Sequence, residues 1–239
     1  MRIAIVSDIH GNGTAFEAVL RDLRKTAPDL ILHGGDLADG GSSPVEIVDQ
    51  IRELGWCGVV GNTDEMLAMP ETLAEFAKQS PQFRPMFDLI EEMAAATRAM
   101  LGEERLAWLR ALPRVHVHGE MALLHASPES RWKSPGPEAS DEELDRVYRP
   151  LGKPVCVYGH IHRSFIRRVS DLTIVNSGSV GLPHDGDRRA AYALIEDGHP
   201  SIRRLEYDVD QEIQAIRNCK LPHREWIVKI LAAASPQMP

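Results

Sequence analysis

The sequence predicts an α/β fold, and three observations carry that reading. Short apolar runs alternate with amphipathic stretches of helical period through the first sixty residues. From Glu65 to Leu112 an Ala-, Met- and Glu-rich segment breaks that rhythm. After Pro113 the pattern turns β-rich. A βαβαβ rhythm implies neighbouring parallel strands joined by right-handed crossovers. At 239 residues the length suits one domain, 1–239, with about 65–112 as a helical insertion.

Ile3–Val6 is a short apolar run ending at Ser7-Asp8. Phe16, Val19, Leu20 and Leu23 then recur at helical spacing. Pro28-Asp29 breaks that helix, and Leu30–Leu32 forms a second run before Gly34-Gly35-Asp36. Pro44 opens a second helix with Val45, Val48, Ile51 and Leu54 on one face; proline suits a first turn because its missing N–H costs nothing there. Gly55 ends it, and Cys57–Val60 is a third run closed by Gly61-Asn62. In the insertion, helix formers run from Phe87 to Leu101 and from Glu103 to Leu109. We read them as plain structural helices beside the sheet, with a lid or a dimer face, and so a homo-oligomer, as the other options. Val115–His118 and Met121–His125 read as a hairpin across Gly119-Glu120. Ser134–Ser140 is a loop and Asp141–Val147 a short helix. Pro154–Tyr158, Phe165–Arg168, Leu172–Val175, Ala190–Ile195 and Ile202–Leu205 read as strands, and Val209–Asn218 and His223–Ala234 as closing amphipathic helices.

Composition narrows the function classes. The formal charge of −8 argues against a non-specific nucleic-acid binder, which shows a basic footprint. It leaves room for a nucleotide substrate, because bound divalent metals reverse the local field. None of the three cysteines forms a CxxC pair. Cys57 and Cys156 lie in apolar, strand-like runs and read as buried free thiols, and the sparse, odd count fits a reducing compartment. A strand begins at Ile3, which leaves no room for a signal peptide, and no apolar stretch approaches the ~20 residues of a membrane helix. The expected location is cytoplasmic.

The chemistry lies in five short motifs: Asp8-Ile9-His10-Gly11-Asn12, Gly34-Gly35-Asp36, Gly61-Asn62-Thr63-Asp64, His125-Ala126-Ser127 and Gly159-His160-Ile161-His162. Four of them place the polar group at or just past the carboxyl end of an expected strand, where open α/β sheets form their binding crevice. Asp8, Asp36 and Asn62 follow three successive strands and converge on one crevice. Carboxylates are hard oxygen ligands, and imidazoles suit Mn, Fe, Ni or Zn more than Mg or Ca. A shared carboxylate bridges two ions roughly 3.5–4 Å apart, and such a pair yields hydroxide near neutral pH and withdraws charge from a phosphoryl group.

In this order the motifs resemble the calcineurin-like metallophosphoesterases, specifically their small bacterial and archaeal phosphodiesterase-like branch. The signature spans residues 8 to 162, and Asn176-Ser177-Gly178-Ser179-Val180-Gly181 resembles the segment that follows it. The resemblance implies a four-layer α/β/β/α sandwich. It also implies ligand roles: Asp8, His10 and His162 for a first metal, Asp36 bridging, and Asn62, His125 and His160 for a second. Asn62 would also touch a phosphate oxygen. The implied cofactors are two divalent ions, manganese first, with iron, nickel, cobalt or zinc as options. The implied function is hydrolysis of phosphoric esters, with phosphodiesters or nucleotide-type substrates foremost, by attack of a metal-bound hydroxide. The competing reading is a non-catalytic interaction module on the same fold, as in the retromer scaffold subunit, or a nucleotide sensor. Here every ligand position is filled, which favours the enzyme.

One departure bears on mechanism. Many relatives carry a histidine after the Gly-Asn pair, thought to protonate the leaving group, where this chain has Thr63. A threonine hydroxyl is a poor general acid. Water on a metal, or His184 in the polar loop Gly181-Leu182-Pro183-His184-Asp185, which can titrate near neutrality, is therefore expected to supply the proton. Asp64 is expected to orient a neighbour or a metal-bound water. Asn12 is expected to cap a helix or reach substrate. His33 is read as structural or as orienting a ligand.

Overall fold

The computed structural model describes residues 1–239. Its strands are β1 (Arg2–Val6), β2 (Leu30–His33), β3 (Cys57–Gly58), β4 (Val115–His118), β5 (Met121–Leu124), β6 (Val155–Tyr158), β7 (Phe165–Val169), β8 (Leu172–Asn176), β9 (Ala190–Glu196) and β10 (His199–Leu205). Its helices are α1 (Gly13–Thr26), α2 (Pro44–Glu53), α3 (Asn62–Ala68), α4 (Glu71–Ala77), α5 (Arg84–Arg110), α6 (Asp141–Tyr148), α7 (Val209–Asn218) and α8 (Arg224–Ala233).

Two five-stranded sheets form, ordered β10-β9-β1-β2-β3 and β4-β5-β6-β8-β7. As expected, β1, β2 and β3 run parallel, with Ile3 opposite Leu30 and Leu32 opposite Cys57. The second sheet is also mixed: β5, β6 and β8 run parallel between the antiparallel edges β4 and β7.

Alternation along each strand makes four layers. Ile3, Ile5 and Leu32 meet Met121, Leu123, Val157 and Val175 between the sheets. The opposite face of β1, with Ala4 and Val6, packs on α1, α2 and the insertion. The opposite face of the second sheet, with Leu124, Cys156 and Ile174, packs on Leu144 and Tyr148 of α6. This is the expected α/β/β/α sandwich. The carboxyl ends of the parallel strands in both sheets come to one edge, which is where the five motifs lie.

Several details differ from expectation. The third run stops being a strand at Gly58, because Val60 N turns away from β2 to the Pro113 carbonyl (2.9 Å). Cys57, on that edge, is exposed rather than buried. The insertion starts earlier than 65, since α3 begins at the motif residue Asn62. Its two long pieces stay separate as expected, broken within α5 at Gly102, whose φ of 69° and ψ of 167° are not helical, and Leu101, Leu106 and Leu109 fill the core against the sheet. That packing is the structural-helix reading.

A charged knot locks α1 to the far side of the first sheet. Asp22 accepts from Tyr192 Oη (2.8 Å) and from Arg203 Nε and Nη2 (2.7 and 3.0 Å). The Arg203 hydrogen bond holds the Asp22 carboxyl below its usual pKa, against burial. Because the folded value lies below the unfolded one, the knot stabilises fully above about pH 4 and is lost as pH falls through the folded value. Asp22→Asn should lower stability by about 1–2 kcal/mol at pH 7, a figure reduced for the partly exposed guanidinium. The loss should shrink below pH 4 in urea titrations.

Candidate metal centre

Each ligand candidate sits on a turn leaving a parallel strand. Five of them adopt positive φ: Asp8 (56°), His10 (49°), Asp36 (54°), His160 (68°) and His162 (55°). A left-handed backbone costs a residue with a Cβ roughly 1–2 kcal/mol. It persists where the surroundings over-determine it, and such strain gathers at functional sites. Here the loops hold one another: Asp8 N donates to Gly35 O and His10 N to Asp36 O (both 3.0 Å), and Gly181 N donates to Asp8 O (3.0 Å). Glycine permits the close approach. A Cβ on Gly61 would collide with Asp36 Oδ1, and one on Gly159 with Asp8 Oδ2.

The side chains form two groups that share Asp36. In the first, ligand atoms of Asp8, His10, Asp36 and His162 all lie within 4.8 Å of one another, and all four residues are buried. His162 Nε2 is 3.2 Å from Asp8 Oδ1, and His10 Nε2 is 3.6 Å from Asp36 Oδ2. In the second group His125 Nε2 is 3.4 Å from the same Asp36 Oδ2. Asn62 Oδ1 stands 2.9 Å from His125 Nε2 and 2.8 Å from His160 Nδ1. Ligand bonds of about 2.1 Å place neighbouring donors about 3.0–3.4 Å apart; the Asp8–His162 and Asp36–His125 spacings lie in that range and the others within about 0.2 Å of it.

Hydrogen bonding also selects the atom each ring presents. His10 Nδ1 donates to the Asp39 carbonyl (2.8 Å), His162 Nδ1 to Leu182 O (2.6 Å) and His125 Nδ1 to Gly34 O (2.8 Å). A carbonyl only accepts, so Nδ1 holds a proton in each ring and Nε2 is the nitrogen turned inward, a metal ligand whenever it carries no proton. The Nε2 atoms of His10 and His162 are 3.1 Å apart. At that distance a proton or a metal cation must lie between them, since two bare lone pairs would repel. The donor set therefore fits divalent ions.

Electrostatics match. Burial alone would raise the Asp36 carboxyl, but the charge and hydrogen bond of His125 and the charge of His10 hold it far below the usual range. Burial opposes charge on His125 as well, yet Asp36 and Asp8 raise it to about 10. Burial, then the charge of His125, lowers His160 to about 4.

Comparison with known proteins places this constellation. A family model described as the calcineurin-like phosphoesterase superfamily domain matches residues 1–198. The chain belongs to that superfamily. Members of this phosphoesterase superfamily are metal-dependent. An uncharacterized protein from Methanocaldococcus jannaschii is 29% identical, over 94% of this chain and 95% of its own. A symmetrical bis(5'-nucleosyl)-tetraphosphatase from Methylococcus capsulatus is 31% identical over 62% of this chain, which spans half of that enzyme's length. The crystal structure of a metallophosphoesterase from Sphaerobacter thermophilus superposes with a TM-score of 0.80 and 28% identity, covering 98% of this chain and all of that one.

The structure brings all seven ligand candidates together. Asn12 caps α1, its Oδ1 accepting from Ala15 N (2.9 Å) while Nδ2 donates to Gly181 O (2.9 Å) and Tyr207 Oη (3.3 Å). Its amide is spent on the fold, which corrects the substrate role. Asp64 is fully buried and accepts from Asp36 N (2.7 Å), Leu37 N (2.9 Å) and Gly61 N (3.0 Å). Of its two expected roles it takes that of orienting a neighbour. His184 lies beside His162 (ring centroids 4.4 Å), but burial and the neighbouring histidines lower it to about 2. That direction runs against the expected titration near neutrality, because its polar loop folds onto the site. His33 is fully buried against Trp108 and makes no hydrogen bond to a ligand. Arg163 pairs with Glu138 (2.6 Å) and Arg167 with Asp141. The sequence reading missed the orienting carbonyls of Gly34, Asp39 and Leu182. It also missed Ser7, whose Oγ donates to Asp8 Oδ2 (2.5 Å) and whose position beside Asp8 was the available signal.

Proposed function

We propose that this chain is a hydrolase of phosphoric esters that works with two divalent ions, manganese foremost. The observation that carries the reading is Asp36 Oδ2 standing between two buried donor groups, 3.6 Å from His10 and 3.4 Å from His125. Ions so placed would supply a hydroxide nucleophile near neutral pH and neutralise charge on a phosphoryl group. Asp8, His10 and His162 would hold one ion, Asn62, His125 and His160 the other, with Asp36 between them. The Asn62 amide nitrogen is the side-chain donor on hand for a phosphoryl oxygen. Phosphodiesters or nucleotide-type substrates suit the site best, in keeping with the tetraphosphatase relatives. We take 1–239 as one catalytic domain, since α7 and α8 pack on Met93 of the insertion and Leu182 beside the site.

Metal analysis of the purified protein, with a screen of monoesters, cyclic and linear diesters and dinucleoside polyphosphates, tests this. About two transition ions per chain with turnover supports it. A folded protein that binds no metal and turns over nothing would make it a non-catalytic module.

The leaving-group step gives a sharper expectation. Thr63 N donates to Asp36 Oδ1 (2.9 Å), and its buried hydroxyl has no partner. Neither Thr63 nor an unprotonated His184 offers a proton. A positioned general acid is worth about 10²–10⁴-fold. Activated aryl diesters should therefore outpace alkyl esters by about that factor, with a steep dependence of kcat on leaving-group pKa. Equal rates across an aryl-to-alkyl series would show that another group supplies the proton.

A further inference from the structure

A buried carboxylate outside the two donor groups has no role in the chemistry above. Asp39 is 6% exposed and Thr97, its partner, 1%. Thr97 Oγ1 on α5 donates to Asp39 Oδ1 (2.9 Å), and the backbone carbonyl of the same Asp39 accepts from His10 Nδ1 (2.8 Å). Asp39 has no cationic partner; burial pushes its carboxyl up to about 7, with the Thr97 hydroxyl acting against that and the charges of Asp36 and Asp64 adding to it. A buried acid so thinly partnered is costly unless its position is needed.

The loop around it explains the need. Gly40 (φ 107°) and Gly41 follow Asp39 directly, and a Cβ on Gly41 would collide with the backbone of His10 and Gly11. The loop thus lies flat on the His10 turn, with glycines where side chains would otherwise grip the surroundings. The Asp39 side chain is its polar tie to the insertion.

We propose that Thr97 and Asp39 are positioning residues for His10: the α5 hydroxyl fixes the Asp39 carboxylate, and this fixes the carbonyl that sets the His10 tautomer and aim. The helical insertion thereby sets the affinity of the first ion site while leaving the second untouched. This rests on the two-ion reading above. Outer partners of histidine ligands are worth about 10–100-fold in metal affinity.

The test is a Mn²⁺ titration of the metal-stripped full chain by calorimetry, with melting temperature recorded beside it. Thr97→Val keeps the shape and removes the hydroxyl. It should weaken one of the two ions about tenfold or more and leave the other within about twofold. Thr97→Ser should restore the parent values. Asp39→Ala, which leaves α5 intact, should reproduce the one-ion loss. Parent-like binding of both ions in Thr97→Val or in Asp39→Ala overturns the proposal, as does equal weakening of both ions with a lowered melting temperature. If the parent itself binds no Mn²⁺, the two-ion reading fails and this inference fails with it; if only the variants are parent-like, this inference fails alone.

Discussion

Asp36→Asn should cost about a thousandfold or more in kcat/KM and leave the protein with fewer than two bound ions. Asp36 Oδ1 is committed to the Thr63 N–H (2.9 Å), so an amide must present its oxygen there. The NH2 group then occupies the Oδ2 position, 3.4–3.6 Å from the Nε2 atoms of His125 and His10. A donor with partial positive charge would face both ion positions in place of a negative oxygen. Metal polarisation contributes several kcal/mol to phosphoryl transfer, and about 4 kcal/mol is about three decades of rate. His10→Ala and Asn62→Ala each touch one donor group and should lose one ion. Steady-state kinetics with metal analysis, on variants shown by melting to be folded, separates these cases. Parental turnover in Asp36→Asn would sink the bridging role.

What the sequence made legible was periodic or was punctuated by side chains. β1 and β2 could be read because an apolar run ending at a strand's carboxyl edge is followed by a glycine or an acid at a turn. Their parallel pairing brings Asp8 and Asp36 together, and β5 and β6 do the same for His125 and His160 in the second sheet. What stayed hidden depends on backbone atoms or on distant pairings. The carbonyls of Gly34, Asp39 and Leu182 decide which imidazole nitrogen faces inward, and every residue has a carbonyl. Thr97 and Asp39 are 58 positions apart, and neither carries a motif. His184 was expected to titrate near neutrality because its loop is rich in polar residues. The loop is instead stitched down by His184 N donating to His162 O (2.9 Å), a contact no local pattern encodes. Cys57 looked buried because its neighbours are apolar, but the third strand ends one residue later and leaves it on an edge.

Asp64 should prove as important for stability as Asp36 is for turnover. Its two oxygens take three backbone N–H groups, from Asp36, Leu37 and Gly61, and none of them has another hydrogen-bond partner in the chain. Burial and the Asp36 charge push its pKa up to about 6, against the pull of the Leu37 and Gly61 N–H groups. Alanine there leaves those donors orphaned in a closed site. At about 1–3 kcal/mol for each unsatisfied group, and less than additive, the loss should reach about 3–5 kcal/mol. That is a large share of the roughly 5–15 kcal/mol typical of a folded chain. At about 2–4 °C per kcal/mol for this size, the melting point should fall by roughly 6–20 °C. Turnover measured well below melting should fall too, because the Asp36 backbone is released. Asp64→Asn should lie between, since its amide oxygen can accept two of the donors while its NH2 faces the third. A melting point for Asp64→Ala within about 2 °C of the parent would mean that water or a shifted loop satisfies those groups, and that Asp36 is held by other means.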